Sequence, residues 1–336
     1  LSDAAAVASP PTRFSKTITI KASGGGDYKT ISDAIDEGVP ENNSKWIRII
    51  VHSGTYKEKV VIPVNKPYIF LDGENWGNTV ITYNGHINLQ DSAFQVAADN
   101  FVARHITFKN TYNHDYKVLQ GNKNPQAQAV AAFIQGDKNS FYQCSFIGLQ
   151  DTLWDSLGRH FFQNCYIEGS VDFIFGDGQS VYEDLGMSFT VRFLEAKPDF
   201  YLNLKMYYKR NPDQVFITAH IRSKETEPTG FVFKYCNVIG TGPTLLGRAW
   251  GPYSRVLYYK TQFADIISPE GWYAWGKNNE TNLFYAEEDC TGPGSDTSKR
   301  VAWQKKLTPA EVNFFTGSSF NNKDHWIENQ PIRRRR

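Results

Sequence analysis

The sequence has 336 residues, enough for one large domain or two ordinary ones. Its net charge of +1 argues against a nucleic-acid binder, and no apolar run approaches the roughly 18 residues of a transmembrane helix. Aromatic residues make up 15% of the chain, which together with plentiful Gly and Asn favours many short strands joined by turns. We therefore expect neither nucleic acid nor membrane among its partners.

Short runs of alternating apolar residues follow one another along the chain, separated by turns that contain Gly, Asn or Asp. These predicted strands are Trp46–Val51, Val60–Ile62, Tyr68–Leu71, Phe101–Phe108, Phe231–Val238 and Arg255–Tyr259. Helical periodicity appears mainly in residues 30–36, which suit a cap over one end of the fold, and in residues 308–312. The sequence thus predicts an all-β fold with short helices.

No linker rich in Pro, Ser or Gly divides the chain, so we predict a single domain over residues 17–328. Residues 1–16 are expected to be an irregular N-terminal segment. Residues 329–336 form a basic tail, which is either a solvated end or a weak attractant for a polyanion.

Residues 141–151 and 162–172 are two successive repeats at an offset of 21 residues. Aromatic falls on aromatic, Cys144 on Cys165, glycine on glycine and Asp151 on Asp172. A period of about 20 residues is typical of a solenoid, in which each coil buries its apolar face against its neighbour. Because equivalent positions of the two repeats carry the same type of residue, the repeat favours a parallel β-helix over a β-sandwich.

Asp151 and Asp172 are the candidate catalytic residues. In a parallel β-helix, equivalent positions of adjacent coils lie about 4.8 Å apart. Two carboxyl groups at that separation do not both ionise readily, so one is expected to keep its proton at neutral pH. The pair can then supply an acid together with a base or a nucleophile. The repeat by itself equally allows two stacked turn residues without any catalytic role.

Polar side chains elsewhere can complete such a site. Gln128 precedes Gln150 by 22 residues, so we expect their amides on adjacent coils, where N–H donors can stabilise a developing oxyanion. Arg248 can hold an ionised carboxylate with two parallel hydrogen bonds. Taken singly, each of these residues is more often structural than functional.

Three aromatic residues are candidates for contact with a sugar ring. Trp154 and Phe175 each follow one of the aspartates by three residues, so their positions repeat as well. Trp250 follows Arg248 by two residues. Alone, each aromatic residue would more often belong to the core.

The four cysteines permit up to two disulfides but require none, and their spacing matches no zinc site. We expect Cys144 and Cys165 to be close but not bridged, because parallel stacking points both side chains the same way. Two N-x-S/T sequons, at Asn42 and Asn279, fit a secreted glycoprotein.

In combination these motifs make the sequence resemble the plant-type pectin methylesterases. The matching motifs, in the family's order, are Gly54–Glu58, Gln128–Ala131, Gln150–Leu153, Asp172–Gly176 and Leu246–Trp250. The resemblance implies a right-handed, single-stranded parallel β-helix with short capping helices. It also implies removal of C6 methyl esters from homogalacturonan in the plant cell wall, without a metal or an organic cofactor.

The resemblance assigns a role to each candidate residue. Asp172 matches the nucleophile that attacks the ester carbonyl, and Asp151 matches the acid that protonates methanol and then activates water. Gln128 and Gln150 match the residues that stabilise the oxyanion. Arg248 matches the arginine that orients the nucleophile and keeps it ionised.

The resemblance also implies substrate contacts and partners. Trp250, Trp154 and Phe175 match aromatic residues of the substrate cleft. The expected ligand is methyl-esterified homogalacturonan, and a proteinaceous pectinesterase inhibitor is a candidate second partner. We expect a secreted monomer in the extracellular cell wall.

The sequence departs from the family pattern at three places. Ala249 stands where the family usually has proline, and His220 stands where a glutamine is expected. We interpret His220 as a tolerated variant rather than a new catalytic base. Residues 185–214 form an atypical insertion, either a lobe beside the cleft or sequence foreign to the mature protein.

Three other functions compete with an esterase. A glycosidase of the same fold also needs paired carboxylates but would carry further Asp, His and Lys motifs, which are absent. A lyase would more often need calcium held by an acidic cluster, and none stands out. A wall-binding protein could keep the groove without turnover, and would release no methanol from pectin.

Overall fold

The computed structural model describes residues 13–112, 128–183, 188–191, 215–240, 242–276 and 278–332, with only the backbone described for residues 188–191. Most of the predicted insertion, residues 185–214, therefore lies outside the described residues. The same holds for residues 1–12 of the N-terminal segment and residues 333–336 of the basic tail. The predicted domain boundaries stay a prediction.

Within the described ranges, 26 short strands, numbered β1 to β26 in chain order, form three sheets. Sheet 1 consists of β1 (Lys16–Ile20), β2 (Ile47–Val51), β5 (Ile69–Gly73), β8 (Phe101–Arg104), β11 (Asn139–Tyr142), β14 (Arg159–Gln163), β17 (Gln179–Glu183), β20 (Gly230–Lys234), β23 (Arg255–Tyr259) and β26 (Phe284–Glu288). Sheet 2 consists of β4 (Val60–Ile62), β7 (Phe94–Val96), β10 (Ala132–Ile134), β13 (Leu153–Asp155), β16 (Ile174–Gly176), β19 (Phe216–His220), β22 (Leu245–Ala249) and β25 (Trp272–Tyr273). Sheet 3 consists of β3 (Gly54–Lys57), β6 (Thr79–Tyr83), β9 (Thr107–Asn110), β12 (Ser145–Ile147), β15 (Tyr166–Gly169), β18 (Ser188–Val191), β21 (Asn237–Gly240) and β24 (Gln262–Phe263).

The chain visits the sheets in a constant cycle, from sheet 1 to sheet 3 to sheet 2 and back. Each described strand pairs in parallel with its equivalent on the next coil, as β11 does with β14 and β13 with β16. Parallel pairing between equivalent strands of successive coils defines a parallel β-helix. The fold predicted from the sequence is confirmed.

Stacked aromatic rings fill the interior beneath sheet 1. Phe141, Phe162, Tyr182, Phe233 and Tyr258 are register partners on five successive coils. Their neighbouring ring centroids lie 4.5–5.1 Å apart with nearly parallel planes. Each coil buries its ring only against the coils on either side, which explains why aromatic residues repeat in the sequence.

Two predicted strands are each divided in the structure. Residues 101–108 form β8 and β9, and residues 231–238 form β20 and β21. The interruptions fall at His105 and Tyr235, whose φ angles are 56° and 57°. A left-handed residue turns the chain from one sheet into the next, so the inward-facing positions change phase across the corner, as from Ala103 to Ile106. The prediction of single strands was wrong for this reason.

A helical cap closes the N-terminal end, as predicted. An α-helix at Ile31–Asp33 continues as a π-helix at Ala34–Gly38. The carboxylate of Glu58 accepts hydrogen bonds from the backbone N–H groups of Ile31 and Ser32, both at 2.9 Å. At the other end of this cap, the ammonium of Lys66 donates to the carbonyl of Ile35 at 2.6 Å. Both helix ends are thus satisfied.

The remaining described helices lie near the C-terminus: 3₁₀ turns at Glu280–Asn282 and Pro293–Ser295, and α-helices at Pro309–Thr316 and Ser318–Asn321. Thr308 and Glu311 form a reciprocal capping box at the start of the longest one. Phe315 and Phe320 from these helices cover the outer face of sheet 1. None of the described helices has the length and apolar character needed to cross a membrane.

Candidate active site

Asp151 and Asp172 occupy equivalent turns between sheet 3 and sheet 2. The neighbouring residues Gln150 and Val171 form a parallel bridge, and the N–H of Asp151 donates to the carbonyl of Val171 at 3.0 Å. The φ angles of the two aspartates are 60° and 47°. Aspartate tolerates this left-handed conformation better than most residues, because its short side chain can bond locally. The structure therefore places the two carboxyl groups on adjacent coils, as the repeat predicts.

Close packing explains why each repeat has a glycine shortly before its aspartate. A Cβ added to Gly169 would lie 2.1 Å from the Cβ of Phe173, and one added to Gly148 would lie 2.8 Å from the hydroxyl of Thr152. The chain leaving sheet 3 thus packs directly on the residue that enters sheet 2. This close approach fixes the path of the turn that carries each aspartate.

Arg248 binds Asp172 through a two-pronged contact. Its Nε donates to Oδ1 of Asp172 at 2.8 Å, and its Nη2 donates to Oδ2 of the same carboxylate. Both side chains are at most 10% exposed. A buried guanidinium fork of this kind is both charge-assisted and directional, so it fixes the orientation of the Asp172 carboxylate.

Burial and charge separate the two carboxyl groups electrostatically. Burial, together with the nearby charge of Asp172, raises the pKa of Asp151 to about 8. Burial also raises the pKa of Asp172, to about 6, while the charge and hydrogen bonds of Arg248 oppose that rise. Near pH 7 Asp172 is therefore mainly ionised and Asp151 mainly protonated. Arg248 lowers the pKa of Asp172 relative to Asp151, but desolvation outweighs this effect, so the pKa of Asp172 stays above its ordinary value.

Gln128 and Gln150 both reach Asp151. Each amide lies beside the Asp151 carboxyl and opposes the rise of its pKa. The two residues are register partners on adjacent coils, because the N–H of Ala129 donates to the carbonyl of Gln150 at 3.2 Å and the N–H of Ala131 donates to that of Thr152 at 2.8 Å. The N–H of Ala132 also bonds the carbonyl of Thr152, and this bulge restores the offset of 21 residues between β10 and β13. Gln128 is more exposed than Gln150.

The aromatic candidates line the outer face of sheet 2. Phe133, Trp154 and Phe175 are register partners on three successive coils. Their rings are stacked, with centroids 4.0 Å apart for Phe133 and Trp154 and 5.5 Å apart for Trp154 and Phe175. Ala219 and Arg248 continue the same column, so Arg248 stands two coils beyond Phe175 and reaches back to Asp172. Phe175 is 7% exposed, which leaves Trp154 as the more accessible ring.

Sequence reasoning missed two aromatic residues at the site. The guanidinium carbon of Arg248 lies 4.0 Å from the ring centroid of Trp275 and 5.0 Å from that of Phe216. Trp250, which was predicted, lies 4.7 Å from the same atom. The stretch from Gly271 to Gly276 holds three aromatic residues between two glycines, a signal that could have drawn attention to Trp275.

The departures from the family pattern lie close behind the site. His220 is fully buried, and its Nδ1 accepts a hydrogen bond from the N–H of Arg255 at 3.1 Å. Burial lowers the pKa of His220 to about 3, so the ring is neutral. Ala249 is fully buried, and its carbonyl accepts a 2.6 Å hydrogen bond from the amide of Asn278. These contacts are consistent with His220 as a tolerated, uncharged variant.

The cysteine prediction holds in the structure. Cys144 and Cys165 follow equivalent strands of sheet 1 and are buried, and all four cysteines carry free thiols. Over the described part of the chain, no three His, Cys, Asp or Glu side chains are arranged to hold a metal ion. The expectation of catalysis without a cofactor stays a prediction.

The fold and this site together define a class: parallel β-helix proteins that bury a pair of carboxyl groups on adjacent coils. The family model for Pectinesterase matches residues 17–324. Probable pectinesterase 55 of Arabidopsis thaliana is 43% identical over 321 residues, covering 94% of this chain and 91% of that protein. Probable pectinesterase 29 of the same plant is 41% identical over 321 residues, covering 95% and 91%.

Solved structures agree with these relatives. Pectin methylesterase from carrot superposes with a TM-score of 0.79 at 28% identity, covering 95% of this chain and 97% of that one. The deglycosylated enzyme from Aspergillus niger gives a TM-score of 0.73 at 26% identity, with the same coverage. This chain belongs to the pectinesterase family. It is an esterase that removes methyl esters from pectin.

Proposed function

We propose that Asp172 acts as the nucleophile and Asp151 as the acid and base in removing C6 methyl esters from homogalacturonan. The observation that carries this assignment is the fork from Arg248 to Asp172, beside a second carboxyl group of higher pKa. The two chemically identical side chains, Asp151 and Asp172, thereby differ in charge near neutral pH. An ionised carboxylate can attack a carbonyl carbon, and a protonated one can donate to a leaving group.

The first half of the reaction forms a covalent intermediate. An oxygen of Asp172 bonds to the ester carbonyl carbon, and the electron pair of the carbonyl moves onto its oxygen. Gln128 and Gln150, which sit beside Asp151, donate N–H groups to that oxyanion. As the carbonyl re-forms, the bond to the methoxy oxygen breaks and Asp151 gives this oxygen its proton. Methanol leaves, and an anhydride to Asp172 remains.

The second half restores the enzyme. Asp151, now ionised, takes a proton from water as the water oxygen bonds to the acyl carbon. The bond to Asp172 then breaks, leaving a free carboxyl group on the polysaccharide. Asp172 returns ionised and Asp151 protonated, so no outside proton donor is required for a complete cycle.

The polysaccharide chain is proposed to lie along the outer face of sheet 2. Trp250 is 48% exposed beside Arg248, and Trp154 is partly exposed on the coil that carries Asp151. Phe175 is nearly buried, so it supports the Trp154 ring more than it contacts sugar. Apolar faces of sugar rings stack on aromatic rings of this kind.

We further propose that the protein is secreted to the cell wall as a monomer, with a proteinaceous pectinesterase inhibitor as a second partner. Asn42 and Asn279, the acceptor residues of both sequons, are exposed in the folded chain, which suits glycosylation. A loss of mass after enzymatic deglycosylation of the native protein, followed by peptide mapping, tests which of the two sites is used.

Methanol release from highly methylated pectin tests the proposed chemistry. We expect methanol to appear in equal amount to the carboxyl groups formed, and Asp172→Asn to abolish both. A glycosidase would instead shorten the polymer without methanol, and a wall-binding protein would bind pectin without either product. Either of these results would overturn the proposal.

A further inference from the structure

The guanidinium of Arg248 is enclosed by aromatic rings as well as by Asp172. Its central carbon lies within 5.0 Å of the ring centroids of Phe216, Trp250 and Trp275, and the Trp275 ring is the nearest at 4.0 Å. The Arg248 side chain is only 10% exposed. We call these three aromatic residues the arginine box.

Trp275 is held in the arginine box by contacts on two sides. Its ring stacks on Trp250, with centroids 5.4 Å apart and planes 28° apart, and it meets Tyr273 edge-on at 6.1 Å. The amide of Asn278 donates to the carbonyl of Ala249 at 2.6 Å. This hydrogen bond ties the segment that follows Trp275 to the residue directly after Arg248.

The backbone of Trp275 is unusual. Its φ angle is 54°, in the left-handed region, although tryptophan is bulky and lies outside the repeated turns of the coil. A bulky residue adopts this conformation only when its surroundings require it, and such outliers concentrate at functional sites. The conformation brings the indole face against the guanidinium.

The aromatic rings limit the conformers that the Arg248 side chain can adopt. Arginine has several rotatable bonds, and one ion pair at the edge of a cleft leaves alternative conformers open. A ring face over the guanidinium attracts the cation and occupies space beside it, and tryptophan is the strongest of the aromatic residues in this contact. Loss of that face would let Arg248 swing toward solvent and leave the Asp172 carboxylate less firmly oriented.

We propose that Trp275 is a positioning residue that holds Arg248 against the nucleophile Asp172. The inference rests on the proposed roles of Arg248 and Asp172. It differs from a sugar-binding role, which the 39% exposure of Trp275 would also allow. A sugar-binding residue contributes mainly to KM, whereas a residue that orients the nucleophile contributes to kcat and to the ionisation of Asp172.

Three variants separate these roles: Trp275→Leu, Trp275→Phe and the control Trp76→Leu. Trp76 is 48% exposed in the turn between β5 and β6, and its side chain takes no part in the proposed site. Methanol release is measured as kcat and KM on methylated pectin across the pH range, and thermal unfolding is followed for each protein. All three variants and the wild type are full-length chains.

We expect Trp275→Leu to lower kcat about tenfold, which lies between the fold-changes for an exposed and for a fully desolvated cation–π contact. KM should stay within about twofold, and the acid limb of the pH profile should move to higher pH because Asp172 loses part of its counter-charge. Trp275→Phe should recover most of the rate, since it restores an aromatic face. Trp76→Leu should match the wild type.

An increase in KM with unchanged kcat and an unmoved acid limb would overturn the proposal in favour of a sugar platform. If Trp275→Leu does not fold, Trp275→Phe decides. A tenfold loss of kcat in folded Trp275→Phe would contradict the proposal, because this variant keeps an aromatic face. A wild type that releases no methanol would refute the proposed function itself, which is a separate outcome.

Discussion

Two sets of turns in the β-helix share one backbone conformation but not one chemistry. Five described turns that leave sheet 1 for sheet 3, and the equivalent turn after β26, begin with a left-handed residue whose φ is 48–57°. These residues are His105, Gln143, Asn164, Tyr235, Lys260 and Asp289. The two turns that leave sheet 3 for sheet 2 at Asp151 and Asp172 use the same conformation, at 60° and 47°.

The first set accepts almost any side chain because those residues are exposed or half-buried and point into solvent. The second set carries aspartate twice, with each residue at most 4% exposed and with a raised pKa. A stacked left-handed turn is therefore a structural device of the coil in its own right. The proposed catalytic role belongs only to the turns where the residue is buried, lies beside a second carboxyl group and is near the charge of Arg248.

The largest expected effect distinguishes the two sets directly. Asp172→Asn should lower kcat at least about 1,000-fold with the fold intact, because an amide cannot attack an ester as a carboxylate does. The matched control is Asp289→Asn, which makes the same change in an exposed left-handed turn and should leave kcat within about twofold. Methanol release and thermal unfolding measure both. Activity of Asp172→Asn within tenfold of the wild type would remove its assignment as nucleophile.

Asp151→Asn should lower kcat about 100- to 1,000-fold at every pH tested, because protonation of methanol and activation of water both depend on that carboxyl group. The pH dependence of kcat is the measurement. A loss confined to alkaline pH would contradict the double role, since it would show that Asp151 matters in one protonation state only.

Replacement of Arg248 tests the feature that sets the aspartate turns apart. Arg248→Ala should lower kcat about 100-fold and move the acid limb to higher pH, because Asp172 then ionises less readily without its counter-charge. Arg248→Lys keeps the charge, so its acid limb should move less, but it loses the planar fork and should remain slow. An unmoved limb in Arg248→Ala would mean that the arginine acts elsewhere, most simply on a substrate carboxylate.

The smallest expected effect is on stability. The pKa of Asp151 in the folded protein, about 8, lies above the ordinary value of about 4 expected in the unfolded chain. The contribution of protonated Asp151 to the stability of the folded state is therefore fully present below about pH 4 and is lost as pH rises through about 8. Asp151→Asn stays neutral, so its Tm should exceed that of the wild type increasingly between these pH values, by a few degrees.

Thermal unfolding at several pH values checks this, with Asp289→Asn as the control that should show no such widening. A difference in Tm between Asp151→Asn and the wild type that stays constant with pH would indicate that burial does not raise the pKa of Asp151.

Much of the site could be predicted because the repeat preserves phase. The offset of 21 residues is also the hydrogen-bond register between β13 and β16, so the adjacency of Asp151 and Asp172 followed from counting. Counting also succeeded for Gln128 and Gln150, because their spacing of 22 residues is the local register before a bulge at Ala132 restores the offset of 21. Both side chains therefore lie beside Asp151.

The corners of the coil and the arginine box could not be predicted in this way. At His105 the interior positions change phase, from Phe101 and Ala103 to Ile106 and Phe108, so a single alternating strand would put the last two on the wrong face. Trp275 follows Arg248 by 27 residues, outside the repeat that aligned the aspartates. Its contact with the guanidinium depends on the path of a segment outside the strands of the sheets.

The sequence by itself determined the coil, its period and the identity of the paired carboxyl groups, because parallel stacking places equivalent residues one strand spacing apart. The family resemblance implied that Asp172 is the ionised carboxyl group, but only the tertiary structure supplies the physical cause. The difference in ionisation depends on desolvation and on the distance to Arg248, which stands two coils beyond Phe175 in the same column. Both are properties of three-dimensional packing, and no linear spacing of residues reports them.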